Sequence, residues 1–229
     1  MAFYYLLLGH LIGDFVLQTD KMAGYKSTHW KWNLLHTSVV TLSTFVFSYA
    51  FGTLLVVLVL LNGVTHFILD YYKNEICRHL HFSGLSGFIF DQSAHILLLY
   101  LISLTAVYSG DPFIDFATVK FLIGLVMITS FSAVFTQFIL AALFPRSDSS
   151  FFEDGEKYMG IFTRMYVWAV LYVSLIQSPY VLFLLLIIAG AFFSKFKRGW
   201  YKWMSPSQLV VKMLLDAAIS AVCIFPILF

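Results

Sequence analysis

An all-α bundle of membrane-spanning helices is the fold this sequence predicts, and three observations predict it. Of the 229 residues, 60% are hydrophobic and only 11% are charged, whereas a soluble domain carries about 25% charged residues. The mean hydropathy is +0.86. Apolar runs long enough for a crossing helix, which needs about 20 residues, recur along the whole chain. The alternating segments of about ten residues that build an outer-membrane barrel do not occur. The net charge of +2 offers no basic surface and argues against nucleic acid as a partner. Cys77 and Cys223 lack ligand spacing and read as free thiols.

The apolar pattern places about eight spans, at 2–18, 34–51, 53–71, 89–109, 117–144, 160–178, 180–195 and 208–228. The first is short, but it has neither a basic leader nor a small-residue cleavage site, so it reads as a retained helix. The fifth is long. Only Gln177, Ser178 and Pro179 separate the sixth from the seventh, which leaves open a hairpin dipping from one face. No repeat or Gly/Ser linker divides the chain. Residues 1–229 therefore read as a single integral membrane domain, with a four-helix core at 1–109 and supporting helices at 110–229.

Orientation follows from Lys and Arg in the short connections. Alternate connections carry Lys21, Lys26 and Lys31, then Lys73 and Arg78, then Arg146 and Lys157, then Lys195, Lys197, Arg198 and Lys202. Arg164 and Lys212 sit in the first turns of spans that start on the same side. Every Lys and Arg except Lys120 thus collects on one face, which the positive-inside rule makes cytoplasmic, with both termini outside. Trp30, Trp32, Trp200 and Trp203 flank the basic connections as an interfacial belt.

Within that frame the ionisable residues inside the spans fall at one depth. His10 and Asp14 lie in the inner half of span one, and His36 opens span two. His66 and Asp70 close span three, and Asp91 and His95 open span four. Three of these pairs are separated by four residues, which puts both side chains on one helix face. That is the geometry by which a single helix donates two metal ligands. Imidazole with carboxylate suits a divalent transition metal, zinc or manganese first, as one ion or two. His10, Asp14, His66, Asp70 and His95 are the expected metal ligands. Asp91 is the expected bridging or general-base carboxylate, and His36 a further ligand or general acid. A proton or cation pathway, or plain polar packing between helices, remains an alternative for the same residues. His29, His79 and His81 read as solvated loop residues.

A second layer lies at the cytoplasmic mouth. Lys26, Lys73, Arg78, Glu153, Asp154, Glu156, Lys157 and Arg164 surround it. Lys26, Lys73 and Arg164 are the expected holders of a substrate head group, since Arg offers a bidentate fork and Lys a point charge. Arg164 is expected to pair with Glu156, and Asp216 with Lys212 four residues before it.

The segments "GHLIGDFVLQTDKMA", "KS" at 26–27, the lone His36, "HFILDYYK" at 66–73 and "DQSAH" at 91–95 resemble the bacterial membrane family called domain of unknown function 3307. The resemblance covers about residues 5–100, with a weaker echo at "GEKYMGIFTR" (155–164), where Thr163 stands at a position relatives fill with an acid. It implies a multi-pass protein of the bacterial inner membrane. More remotely, the paired His and Asp are similar to those of inner-membrane-associated metal-dependent hydrolases and of zinc-dependent phospholipases.

The reading that follows is a metal-dependent hydrolase in the membrane, acting at the cytoplasmic side on a lipid or lipid-linked phosphoester or ester. Membrane lipids are then its partners, and a homo-oligomer stays open. The alternative is a divalent-cation or proton transporter or channel using the same cluster. The outer halves of spans one to four carry no ionisable residues, which disfavours a through-path, as does the lack of paired Gly/Pro interruptions.

Overall fold

The computed structural model describes residues 1–144, 154–175, 180 and 205–228, with side chains described over 1–144, 160–173, 180 and 205–223. Among the described residues all regular structure is helical: α1 (Ala2–Leu11), α2 (Asp20–Tyr25), α3 (Trp30–Ser48), α4 (Thr53–His79), α5 (Gly84–Ser103), α6 (Phe116–Val126), α7 (Ser132–Leu143), α8 (Asp154–Leu175) and α9 (Pro206–Leu228). Among the described residues, five helical stretches are long and apolar enough to cross a membrane, at Trp30–Phe51, Thr53–His79, Gly84–Ser103, Phe116–Leu143 and Pro206–Cys223. Ala2–Val16 and Gly160–Val173 are shorter apolar helices. The expected span at 180–195 lies outside the described residues. So do the basic residues Arg146, Lys195, Lys197, Arg198 and Lys202, the side chains of Glu153, Asp154, Glu156 and Lys157, and Trp200 and Trp203.

Helix ends differ from the ends of the apolar runs. The third span was expected to stop at 71, yet α4 continues to His79, and α5 begins at Gly84 rather than at 89. Hydropathy marks where a helix leaves lipid, whereas backbone hydrogen bonding runs on through "YYKNEICRH", which has no Pro or Gly to stop it. Capping then sets the start of α5, where the Ser83 hydroxyl accepts from the Ser86 N–H at 3.4 Å. α3 passes into α4 through Gly52, whose φ of 94° is open to glycine and hindered for other residues.

The chain forms two compact units, Met1–Val126 and Met127–Phe229. In the first, glycines let helices meet at backbone distance. A Cβ on Gly9 would lie 2.5 Å from Thr44 Cα, and one on Gly13 would lie 2.6 Å from Val40 Cα, so α1 is seated directly on α3. Gly63 does the same for α4, where a Cβ would meet Thr41 Oγ1 at 2.5 Å. Small residues at such contacts are the membrane way of bringing helices together, because lipid supplies no hydrophobic drive between them.

The first unit has two distinct ends. At one, the Val107 and Ser109 N–H groups donate to Phe51 O and Ala50 O, and the Tyr5 hydroxyl donates to Ile114 O. At the other, the Asn74 amide donates to Ser27 Oγ at 3.0 Å, joining the segment of Lys26 to the end of α4 that carries Lys73 and Arg78. Its outer surface is apolar, with Leu42, Leu54, Leu60, Leu61, Leu97 and Leu101 exposed, while His10, Asp14, His36, His66, Asp70, Asp91 and His95 are all buried. This inverts the soluble pattern. Not every buried polar group calls for a partner from another helix, since Thr44 and Ser48 donate to carbonyls four residues back in α3.

Candidate metal centre

Four helices and one loop bring the cluster together. α1 supplies His10, and the π-helical turn that follows it, Ile12–Val16, supplies Asp14. A π-turn widens the helix locally and recurs at functional sites; here it holds a carboxylate that is 2% exposed. α3 supplies His36, α4 supplies His66, Asp70 and Lys73, and α5 supplies Asp91, Gln92 and His95. Lys26 reaches in from the residue just after α2. The four-residue spacing works as expected in α4 and α5, where His66 Nε2 is 3.3 Å from Asp70 Oδ2 and His95 Nε2 is 3.5 Å from Asp91 Oδ1. In α1 the corresponding separation is 3.9 Å.

Asp70 lies between the helices. Its Oδ2 is 3.2 Å from His36 Nε2, 3.3 Å from His66 Nε2 and 3.1 Å from Lys26 Nζ, while its Oδ1 faces His95 Nε2 at 3.8 Å. Asp14 Oδ1 is 3.2 Å from His36 Nε2, and Asp14 Oδ2 accepts from the Gln92 amide at 3.0 Å. All four histidines turn Nε2 toward the carboxylates. The His66 and His95 rings stack at 4.0 Å between centroids, and His10 lies beside both.

Two lysines enter this acidic interior. Lys26 Nζ lies 3.3 Å from Asp14 Oδ1, 3.1 Å from Asp70 Oδ2 and 3.1 Å from His36 Nε2. Burial alone would lower its pKa, but the carboxylates of Asp14, Asp70 and Asp91 outweigh that and hold it above the ordinary lysine value. Lys73 Nζ donates to Asp91 Oδ2 at 2.8 Å. Asp91 is therefore held by Lys73 on one oxygen and faces His95 with the other.

The donor set fits a metal ion. Among the described residues, two groups of three offer ligand atoms within 4.8 Å of one another, namely Asp14, His36 and His66, and His66, Asp70 and His95. Both Asp70 oxygens, His10 Nε2 and both ring nitrogens of His95 are buried without a hydrogen bond. Those of Asp70 are at ion-pair distance from several nitrogens, yet the alignment of a hydrogen bond is missing. Buried polar atoms left so are rare, and imidazole with carboxylate is the ligand chemistry of divalent transition metals. His36, His66 and His95 depart from the usual metal histidine in one respect: their Nδ1 atoms are buried without a hydrogen bond. Ring packing, rather than the customary outer hydrogen bond, orients them.

A family model described as a protein of unknown function (DUF3307) matches residues 2–123. The chain belongs to this family. No curated protein and no solved structure matches it. The DUF3307 match takes in every residue of the cluster, from His10 to His95, and extends past the stretch that carried the resemblance in the sequence.

Beyond the DUF3307 match, Arg164 is placed in the second unit, on α8. Its Nη1 bonds Asp216 Oδ1 at 2.9 Å, its Nε donates to Ile128 O at 2.8 Å and its Nη2 to Thr129 O at 3.3 Å. The expected partner, Glu156, has its side chain outside the described residues, and Asp216 takes the guanidinium. The expected Lys212–Asp216 pair is present. The structure also adds two residues to the first unit's site that sequence reasoning passed over. Gln92 bridges Asp14 and Asp91, and buried Asn33 donates to Phe67 O at 2.8 Å, tying α3 to α4 beside His36. Each was visible as an uncharged amide within a turn of an intramembrane His or Asp.

Proposed function

We propose that the protein is an integral-membrane, metal-dependent hydrolase acting from the cytoplasmic side on a lipid or lipid-linked phosphoester or ester, in a bundle of about eight spans with both termini outside. The observation that carries this reading is the pair of interlocking His/Asp groups sharing His66. The residues that hold the ion come from those two groups. A divalent ion bound there would supply Lewis acidity and make water a nucleophile near neutral pH.

The chain's own residues do the rest. Asp91 Oδ1 accepts the proton of the attacking water, with Lys73 fixing the carboxylate through its other oxygen. His36, protonated in the reacting state, gives its Nε2 proton to the leaving oxygen, and Asp91 then passes the proton it took to water. Gln92 keeps Asp14 and Asp91 in register by donating to both. Exposed Leu, Val and Ile on the same helices support entry of the substrate sideways from lipid, at the end of the unit where Lys26 and Lys73 lie.

The test begins with elemental analysis of the purified full chain and of His66→Ala, which removes the residue common to both groups. Native protein should carry a transition metal and the variant should not. Incubation with phosphorylated and acylated lipids should then release a cleaved product, and Asp91→Asn should abolish release while keeping metal. Ion flux in reconstituted vesicles without any hydrolysis would overturn the enzyme reading.

A further inference from the structure

The two metal-competent groups are not equivalent, because Lys26 contacts two residues of the first, Asp14 and His36, and one oxygen of a single residue, Asp70, in the second. Its Nζ contacts Asp14 Oδ1, His36 Nε2 and Asp70 Oδ2, the last two within 3.1 Å. Those atoms form the Asp14–His36 side of the cluster. On the other side Asp70 Oδ1 faces His95 Nε2 at 3.8 Å, and His66 stacks on His95. We propose that the centre holds a single divalent ion, at His66, Asp70 and His95, and that Lys26 is a resident second cation standing where a two-metal site would place its other ion. This rests on the metal-dependent reading above and narrows it.

Charge supports the assignment. Three carboxylates, Asp14, Asp70 and Asp91, face two ammonium groups, Lys26 and Lys73, which leaves one negative charge when the imidazoles are neutral. One divalent ion turns that into a single positive charge, and a second would make it three. An interior walled by helices and lipid tolerates net charge poorly. Geometry points the same way, since an ammonium at 3.1–3.3 Å from three ligand atoms takes up the coordination that a competing ion would need. Asp70 is the hinge of the arrangement, giving Oδ2 to the lysine and Oδ1 to the side of the ion.

The experiment titrates zinc into metal-depleted full-length protein in detergent, following stoichiometry by calorimetry and by elemental analysis after desalting. Native protein should bind one equivalent, and Lys26→Glu, which replaces the ammonium by a carboxylate so that two ions leave the same single positive charge, should bind two. Two equivalents in native protein, or one in a folded Lys26→Glu, overturns the proposal while leaving the metal-dependent reading intact. No binding by either protein overturns both. Should Lys26→Glu fail to fold, His36→Gln and His95→Gln decide the question. The first should retain its one equivalent and the second should lose it, and the reverse pattern would place the ion on the Asp14–His36 side.

Discussion

Each unit of this protein buries a cluster of charge, and the two clusters are built to different ends. In the second unit Arg164 and Lys212 meet Asp216, and the guanidinium also donates from Nε and Nη2 to the Ile128 and Thr129 carbonyls. Ser220 closes the arrangement by donating to Arg164 O and Asp216 O. The Asp216 carboxylate, the Ile128 and Thr129 carbonyls and the Ser220 hydroxyl are fixed groups on helices and a turn. In the first unit four imidazoles and three carboxylates crowd together, yet both Asp70 oxygens and both His95 nitrogens lack hydrogen bonds. A buried polar network that is fully bonded rigidifies its surroundings, whereas a partly bonded one is expensive unless something else uses its lone pairs. On the reading proposed above, the second cluster serves structure and the first a ligand.

The largest effect should come from breaking the bonded cluster. Asp216→Asn removes the carboxylate that faces Arg164, and stranding a buried charge in this way costs about 3–5 kcal/mol. We expect a large fall in thermal stability, with zinc stoichiometry unchanged in whatever protein remains folded. Loss of metal at full stability in this variant would mean that the second cluster, too, serves the ion. The open cluster should respond to ligand instead. Zinc at a hundredfold over its Kd should stabilise native protein by about 2.7 kcal/mol through mass action alone, and a chelator should reverse the shift. His66→Ala should show neither response, so a persistent zinc shift in that variant would break the contrast.

How far sequence could reach depends on whether the information is local. The pairs His66/Asp70 and Asp91/His95 share a face because helical periodicity is fixed, and the structure brings both into one cluster. The depth of Lys26 was not legible. A lysine in a short connection between apolar runs reads as a head-group holder at the cytoplasmic mouth, and only the fold shows it 9% exposed and inside the carboxylates. Arg164 shows the same limit from the other direction. Its partner Asp216 lies 52 residues away in sequence, and no spacing rule links them, so the nearer Glu156 was the natural expectation. Asp14 is intermediate: the sequence places it one turn after His10, but the π-turn that sets its direction leaves no clear trace in "IGDFV".

A milder change should loosen the first cluster without touching its polar groups. Gly9→Ala adds a methyl 2.5 Å from Thr44 Cα, which is backbone and cannot rotate aside, so α1 must move off α3. Overpacking of this kind costs about 1–3 kcal/mol. Because α1 and its π-turn carry His10 and Asp14 while α3 carries His36, the move should also weaken zinc binding. Unchanged affinity at reduced stability would show that the ion depends little on the α1 side, in keeping with its placement at His66, Asp70 and His95.

The smallest effect should separate the clusters by how their cations are held. Arg164 and Lys212 project from the long helices α8 and α9, whereas Lys26 follows the six-residue helix α2. A helix that short is not stable alone, so its ends matter. The Thr19 hydroxyl accepts from the Met22 N–H at 3.2 Å and caps its start. Thr19→Ala removes that bond at about 1 kcal/mol, the usual value for losing a cap. The loss falls on a local opening of residues 19–26, because Thr19 is exposed and contributes nothing to the packing of α1 on α3. Amide exchange at Met22, Ala23 and Lys26 should therefore quicken by about fivefold, the factor that 1 kcal/mol gives, while exchange along α4 and the global melting temperature hold. If Lys26 is anchored mainly by Asp14 and Asp70 rather than by α2, its own amide will instead stay protected as Met22 opens, and the ion-pair contacts, not the helix, will be what keeps the lysine in the cluster.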